Sequence, residues 1–194
     1  MFDPLHKIIL TGYRATGKSA VGSLLAVRRG LSFLEMDTCL EERAGRPIRQ
    51  LVAEEGWESF RELERNLLAE LVDQTNLVIS TGGGAILHQE AWRRLMGTGL
   101  VVWLIADIDT ICRRLTEDQK SEGQRPSLTG ADICTEAAMV LAEREPLYAK
   151  GSHLSLGTDE DSVEAIVDRI EAALADAEFL RSVENSLPKD PLYC

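Results

Sequence analysis

Lys7-Ile8-Ile9-Leu10-Thr11-Gly12-Tyr13-Arg14-Ala15-Thr16-Gly17-Lys18-Ser19 is the stretch that decides the fold. Its first five residues form a short apolar run with β-branched members, which predicts a strand buried on both faces. From Gly12 the pattern G-x-x-x-x-G-K-[ST] is met in full. Val21, Leu24 and Leu25 then recur near helical spacing, so a helix is expected over residues 17–29. Strand, glycine loop and helix in that order make a cradle for phosphate. The glycines let the backbone wrap an anion, the N–H groups of the loop and helix start point at it, and Lys18 reaches the β and γ oxygens. Ser19 offers a hydroxyl to Mg²⁺. The nucleotide-binding residues are therefore Gly12, Thr16, Gly17, Lys18, Ser19 and Ala20. The bland alternative is an ordinary glycine-rich turn with a solvated lysine. The loop alone does not choose among GTPases, ATPases, small-molecule kinases and transport motors, which share it.

Working outward, residues 32–36 read as a second strand, followed by helical patterns over 38–44, 48–54 and 57–73 that Gly45, Pro47 and Gly56 interrupt. Residues 77–80 form a third strand stopped by the glycine triplet 82–84, and residues 89–96 look helical. Residues 100–105 are the clearest strand of the chain and lead into a helix over 107–116. A polar run over about 117–130 suggests a mobile surface segment. Helical spacing returns over 132–148, a last short strand is expected at 153–156 and a last helix at 161–179. Residues 181–194, with two prolines, read as a frayed tail. Strands alternating with helices imply an α/β fold of three layers, a five-stranded parallel sheet covered on both faces, with residues 1–180 as one domain. Ligands of such sheets sit at the carboxyl ends of the strands. The Gly12 loop, Asp37 and the 82–84 triplet each follow a predicted strand.

Composition narrows the partners. At 194 residues the chain suits one core, and 44% hydrophobic with 27% charged residues is ordinary for a globular protein. A formal net charge of -11 argues against a nucleic-acid surface, which needs clustered Lys and Arg. Any anionic ligand must be met by local cations. No apolar run is long enough to span a bilayer, and the start lacks a basic region ahead of an apolar one. The expected setting is the cytoplasm, with small-molecule substrates, no nucleic acid and no membrane, acting as a monomer. Cys39, Cys112, Cys134 and Cys194 lack paired spacing and read as reduced thiols.

On the acceptor side, Glu35 and Asp37 stand two apart at a strand end, a spacing that places both on one face. One could order Mg²⁺ and the other could hold or deprotonate an acceptor hydroxyl. They would do equally well as a solvated pair near a helix start. Arg61, Arg125 and Arg144, taken singly, would pass for surface ion pairs.

Taken in order, these elements resemble shikimate kinase. The resemblance rests on residues 12–19, Glu35-x-Asp37, Gly45-Arg46, Glu55-Gly56 with Phe60-Arg61, Ser80-Thr81-Gly82-Gly83-Gly84, Arg125-Pro126 and Arg144-Glu145-Pro146-Leu147-Tyr148. It implies ATP and Mg²⁺ as reaction partners and shikimate as the acceptor of the γ-phosphate at its 3-hydroxyl. It further implies that Asp37, Arg61, Arg144 and the backbone of Gly82, Gly83 and Gly84 bind shikimate, with Asp37 assisting deprotonation. Lys18 and Arg125 would stabilise the transferring phosphoryl group, Arg125 arriving as a lid over about 117–130 closes. Arg114 would stack on adenine, while Ser19 and Glu35 would serve the metal. The chain departs from the family at Glu35, where Asp is usual, and in a longer stretch between Arg114 and Arg125. The rival readings are a kinase of another small acceptor, such as gluconate or a nucleoside monophosphate, and a non-catalytic binding protein of the same fold.

Overall fold

The computed structural model describes residues 2–117 and 132–187. Arg125 and nearly all of the expected lid lie outside the described residues. So does the tail beyond residue 187.

Among the described residues, five strands form one parallel sheet: β1 (Lys7–Thr11), β2 (Ser32–Glu35), β3 (Leu77–Ser80), β4 (Leu100–Ile105) and β5 (Leu154–Gly157), in the order β2-β3-β1-β4-β5. The helices are α1 (Lys18–Arg29), α2 (Met36–Ala44), α3 (Ile48–Leu71), α4 (Gln89–Met96), α5 (Ile108–Glu117), α6 (Ile133–Lys150), α7 (Val163–Ala175) and α8 (Ala177–Ser186). Alternation along β1 assigns the layers. Ile8 and Leu10 pack with Val21 and Leu25 of α1 and Val167 and Ile170 of α7. Ile9 turns the other way, against α2, α3 and α4 through Leu40, Phe60, Leu67 and Leu95. Every residue of β1 is buried, as expected for the apolar run Ile8–Leu10 in a strand covered on both faces.

Helix ends follow local chemistry. Gly45, at φ 67°, closes α2. Arg46 then donates to Glu54 and Glu55, so two of the short motifs quoted above pair with each other and fasten the α2–α3 turn. Gly56 breaks the expected helical run as anticipated: at φ 84° and ψ 170° it is non-helical and kinks α3 between two helical stretches. Lys7 is buried and donates to the Val72 carbonyl at the end of α3 (2.8 Å). A cation there satisfies a helix terminus. Burial pulls its ammonium down to about 8, against the opposing pull of Asp73 and Asp3.

Two expectations need correction. The last helix stops at Ala175, and Asp176 caps a new one by accepting from the N–H groups of Glu178 and Phe179 (2.9 and 3.0 Å). Residues 181–186 are therefore helical rather than frayed, anchored by the buried Val183. The cysteines are not all free thiols: Cys112 of α5 and Cys134 of α6 form a disulfide, with Cα atoms 5.4 Å apart, while Cys39 is free. Their wide spacing in sequence hid that these two helices pack side by side. No helix among the described residues is long and apolar enough to cross a membrane.

His153 stands in for a backbone acceptor. Its Nδ1 accepts from the N–H of Val101 (3.1 Å), a bond that requires a neutral ring, and burial lowers its pKa to about 4. Between about 6.5 and about 4 the unfolded chain binds the proton that the folded chain refuses. Stability from this site is thus complete above pH 6.5 and lost as pH falls toward 4, by roughly 3 kcal/mol. Denaturant melts of wild type and His153→Asn at pH 7 and 4.5 test this. The wild type should lose stability steeply and the Asn variant, which keeps an acceptor without a titration in that range, should lose less.

Candidate active site

The phosphate loop leaves β1 at Gly12, whose φ of 137° only glycine holds comfortably and whose missing Cβ would run into the Leu104 carbonyl. Gly17, at φ 90°, caps α1 without a side-chain hydrogen bond, which leaves the helix start turned to the loop. Thr16 Oγ1 donates to the Tyr13 carbonyl (2.9 Å). Lys18 Nζ donates to the carbonyls of Gly12 and Tyr13 (3.0 and 2.6 Å), folding back over the loop. Arg114 donates to the Ala15 carbonyl (3.1 Å) and the Thr158 carbonyl (2.5 Å), so this guanidinium borders the loop where β5 ends. Ser19 and Ala20 lie exposed in the first turn of α1.

The carboxylate pair is placed differently from its sequence rationale. β2 ends at Glu35 and Met36 begins α2, so Glu35 is the helix N-cap and Asp37 sits in the first helical turn. The two do not share a strand face. Met36, apolar and next in the run, reads as strand in the sequence, but it opens α2 and is buried in the core beneath it. Glu35 nevertheless meets the loop, accepting a hydrogen bond from Ser19 Oγ and another from Thr38 Oγ1 (3.2 Å). The parallel register Glu35↔Ser80 puts the start of α2, and with it Asp37, beside the strand end that leads to the glycine triplet.

That triplet is held from several sides. Arg144 Nη1 and Tyr148 OH both donate to the Gly83 carbonyl (3.0 and 2.6 Å). They stand four apart on α6 and so share one face. Burial raises the Tyr148 hydroxyl to about 12, so it remains a donor. A Cβ on Gly83 would lie 3.5 Å from the Gly12 carbonyl, and one on Gly84 only 2.7 Å from Arg61 Cζ. Arg61 also lies 5.3 Å from the ring centroids of Trp57 and Phe60 and donates to the buried Glu64 (2.5 Å). Glu64 accepts at the same oxygen from His88 Nε2 (3.0 Å).

Lys18, Arg61, Gly82, Gly83, Gly84 and Arg144 thus gather past the carboxyl ends of β1 and β3, with Ser19, Glu35 and Asp37 beside them near the end of β2. Glu64, His88 and Tyr148 were given no role by sequence reasoning. Glu64 was within reach of it, because a residue three along the helix from Arg61 shares its face. His88 carried no signal.

A parallel three-layer sheet, a closed glycine loop with its lysine and two arginines fixed at the neighbouring strand end define a P-loop kinase of small acceptors. The family model for shikimate kinase matches residues 14–175. A shikimate kinase from Nitratidesulfovibrio vulgaris is 40% identical over 176 residues, 90% of this chain and 99% of its own length. Among solved structures, the shikimate kinase of Acinetobacter baumannii in complex with shikimate superposes with a TM-score of 0.81 at 29% identity, covering 88% of this chain and 93% of its own. That of Bacteroides thetaiotaomicron gives 0.78 at 33%, covering 88% and 98%. This chain belongs to the shikimate kinase family.

Gly12→Ala tests the loop geometry. A side chain there meets a backbone carbonyl in a conformation it disfavours, a cost of about 1–3 kcal/mol. The variant should melt at lower temperature and bind nucleotide at least about tenfold more weakly by calorimetry.

Proposed function

We propose that this chain transfers the γ-phosphoryl group of ATP to the 3-hydroxyl of shikimate. The observation that carries the reading is the grip on the glycine triplet: Arg61 packs on Gly84 and Arg144 bonds Gly83, while Gly83 lies against Gly12 of the phosphate loop. An acceptor seated on residues 82–84 would have guanidinium groups for its carboxylate and the γ-phosphate within reach of its hydroxyl. Arg144 is buried, and its Nε has no hydrogen-bond partner among the described residues, which suits a site that receives a carboxylate.

In this mechanism Lys18 leaves the carbonyls of Gly12 and Tyr13 for the phosphate oxygens, and the loop N–H groups hold the β-phosphate. Asp37 accepts the hydroxyl proton of the acceptor. The freed oxygen attacks the γ-phosphorus in line, the bond to the bridging oxygen breaks, and ADP departs. Arg125 would add charge to the transferring group, and Arg114 would border the adenine. Ser19 and Glu35 fit Mg²⁺, because hydroxyl and carboxylate oxygens already meet there and such oxygens are its preferred ligands. Among the described residues no cluster of three or more acidic, His or Cys side chains could hold a metal ion, so phosphates and water would complete the shell. When bound, Mg²⁺ neutralises phosphate charge. The enzyme is taken to act as a cytoplasmic monomer on small molecules.

The test is ADP release dependent on shikimate in a coupled assay. Arg61→Ala should raise the shikimate KM at least about tenfold with little change in the ATP KM, whereas Lys18→Met should lower kcat by at least about a hundredfold. An unchanged shikimate KM in Arg61→Ala would remove the acceptor assignment.

A further inference from the structure

The proposed acceptor site contains an electrostatic conflict. Arg61 is meant to offer its charge to an incoming carboxylate, yet it already faces one of the protein's own. Glu64 is fully buried, and Arg61 Nη1 lies 2.5 Å from its Oε2. A guanidinium held this closely by a buried carboxylate has much of its field cancelled. A second anion arriving there would also meet the repulsion of Glu64.

His88 meets the same carboxylate. It follows the 3-10 turn Ala85–Leu87, directly after the glycine triplet, and precedes α4. Its side chain is 11% exposed, and it makes no cap hydrogen bond for the helix it precedes. Its Nε2 lies instead 3.0 Å from Glu64 Oε2, the same oxygen that Arg61 uses. Two donors on one oxygen divide its accepting capacity, so each holds less tightly than it would alone.

We infer that His88 is a positioning residue for the acceptor: by donating to Glu64 it shares the demand of the buried carboxylate and keeps the Arg61 guanidinium available to the substrate carboxylate. This rests on the reading of Arg61 as an acceptor-binding residue. Nothing in it touches the nucleotide side, so its effect is confined to one substrate. A hydrogen bond to a charged group is strong enough to shift acceptor affinity about tenfold.

Steady-state kinetics with shikimate and ATP on His88→Leu, His88→Gln and Arg61→Ala test the inference, with melting temperatures recorded for each. His88→Leu keeps bulk and removes the donor, and should raise the shikimate KM about tenfold with kcat and the ATP KM within about twofold of wild type. His88→Gln places an amide N–H near the position of Nε2 and should recover most of the lost affinity. If Arg61→Ala raises the shikimate KM while His88→Leu matches wild type, the role of His88 is refuted and the acceptor site stands. Equal defects in the Leu and Gln variants, or a fall in kcat shared by both, would also overturn it, since packing alone would then account for the residue. If Arg61→Ala leaves the shikimate KM unchanged, the acceptor assignment fails and this inference fails with it. Should His88→Leu be insoluble, His88→Phe carries the same expectation.

Discussion

The Gly83 carbonyl accepts from Arg144 and Tyr148 together, and the placement of the proposed acceptor side depends on that junction. It fastens α6, late in the chain, onto the backbone that follows β3. β3 in turn pairs with β1, whose end begins the phosphate loop. The Thr81 N–H and hydroxyl both donate to the Leu10 carbonyl (3.0 Å each), which locks the triplet to the strand before the loop. Two segments some seventy positions apart are thereby held together, and Arg144 is bonded to one of them. A side chain at Gly84 would displace the Arg61 guanidinium, which occupies that space.

An acidic chain with a formal net charge of -11 binding two anionic substrates looks paradoxical until distances are considered. Salt confines the influence of surface carboxylates to about 8 Å under physiological conditions. Lys18 and Arg144 are buried, and Arg61 is mostly shielded, so their charges act at short range with little solvent between them and a ligand. The excess of acid sits elsewhere, on exposed helix faces such as Glu70 facing Arg43 and Asp168 facing Arg28. Such pairs contribute little to stability and much to solubility.

Much of the fold was legible in the sequence because the signals were local. β1, β3 and β4 are unbroken apolar runs, and glycines punctuate the chain where it turns. The boundary at Met36 was misplaced because a buried apolar residue looks alike at the end of a strand and at the start of a helix. The division at Asp176 was missed because a single capping residue interrupted a continuing helical pattern. The disulfide between Cys112 and Cys134 was invisible, since it depends on the packing of α5 against α6. In the proposed site, the motif residues stand out in the sequence where order and spacing carry the resemblance. Glu64 and His88 do not, because their meaning lies in a three-way contact among a helix, a turn and a loop. Spacing along α3 could have paired Glu64 with Arg61, but no residue type or spacing brings His88 to them.

Ala15 adopts a φ of 60°, which residues with a side chain rarely occupy, and its carbonyl is taken up by Arg114. Arg114 is anchored in turn to the end of β5 through Thr158. The curve of the loop is therefore held by a tether running across the sheet from its last strand. A loop tied down in this way leaves less of a ligand's affinity to be spent on ordering the chain. By this device the terminal strand, which contributes no residue to the acceptor side, takes part in preorganising the first step of the reaction.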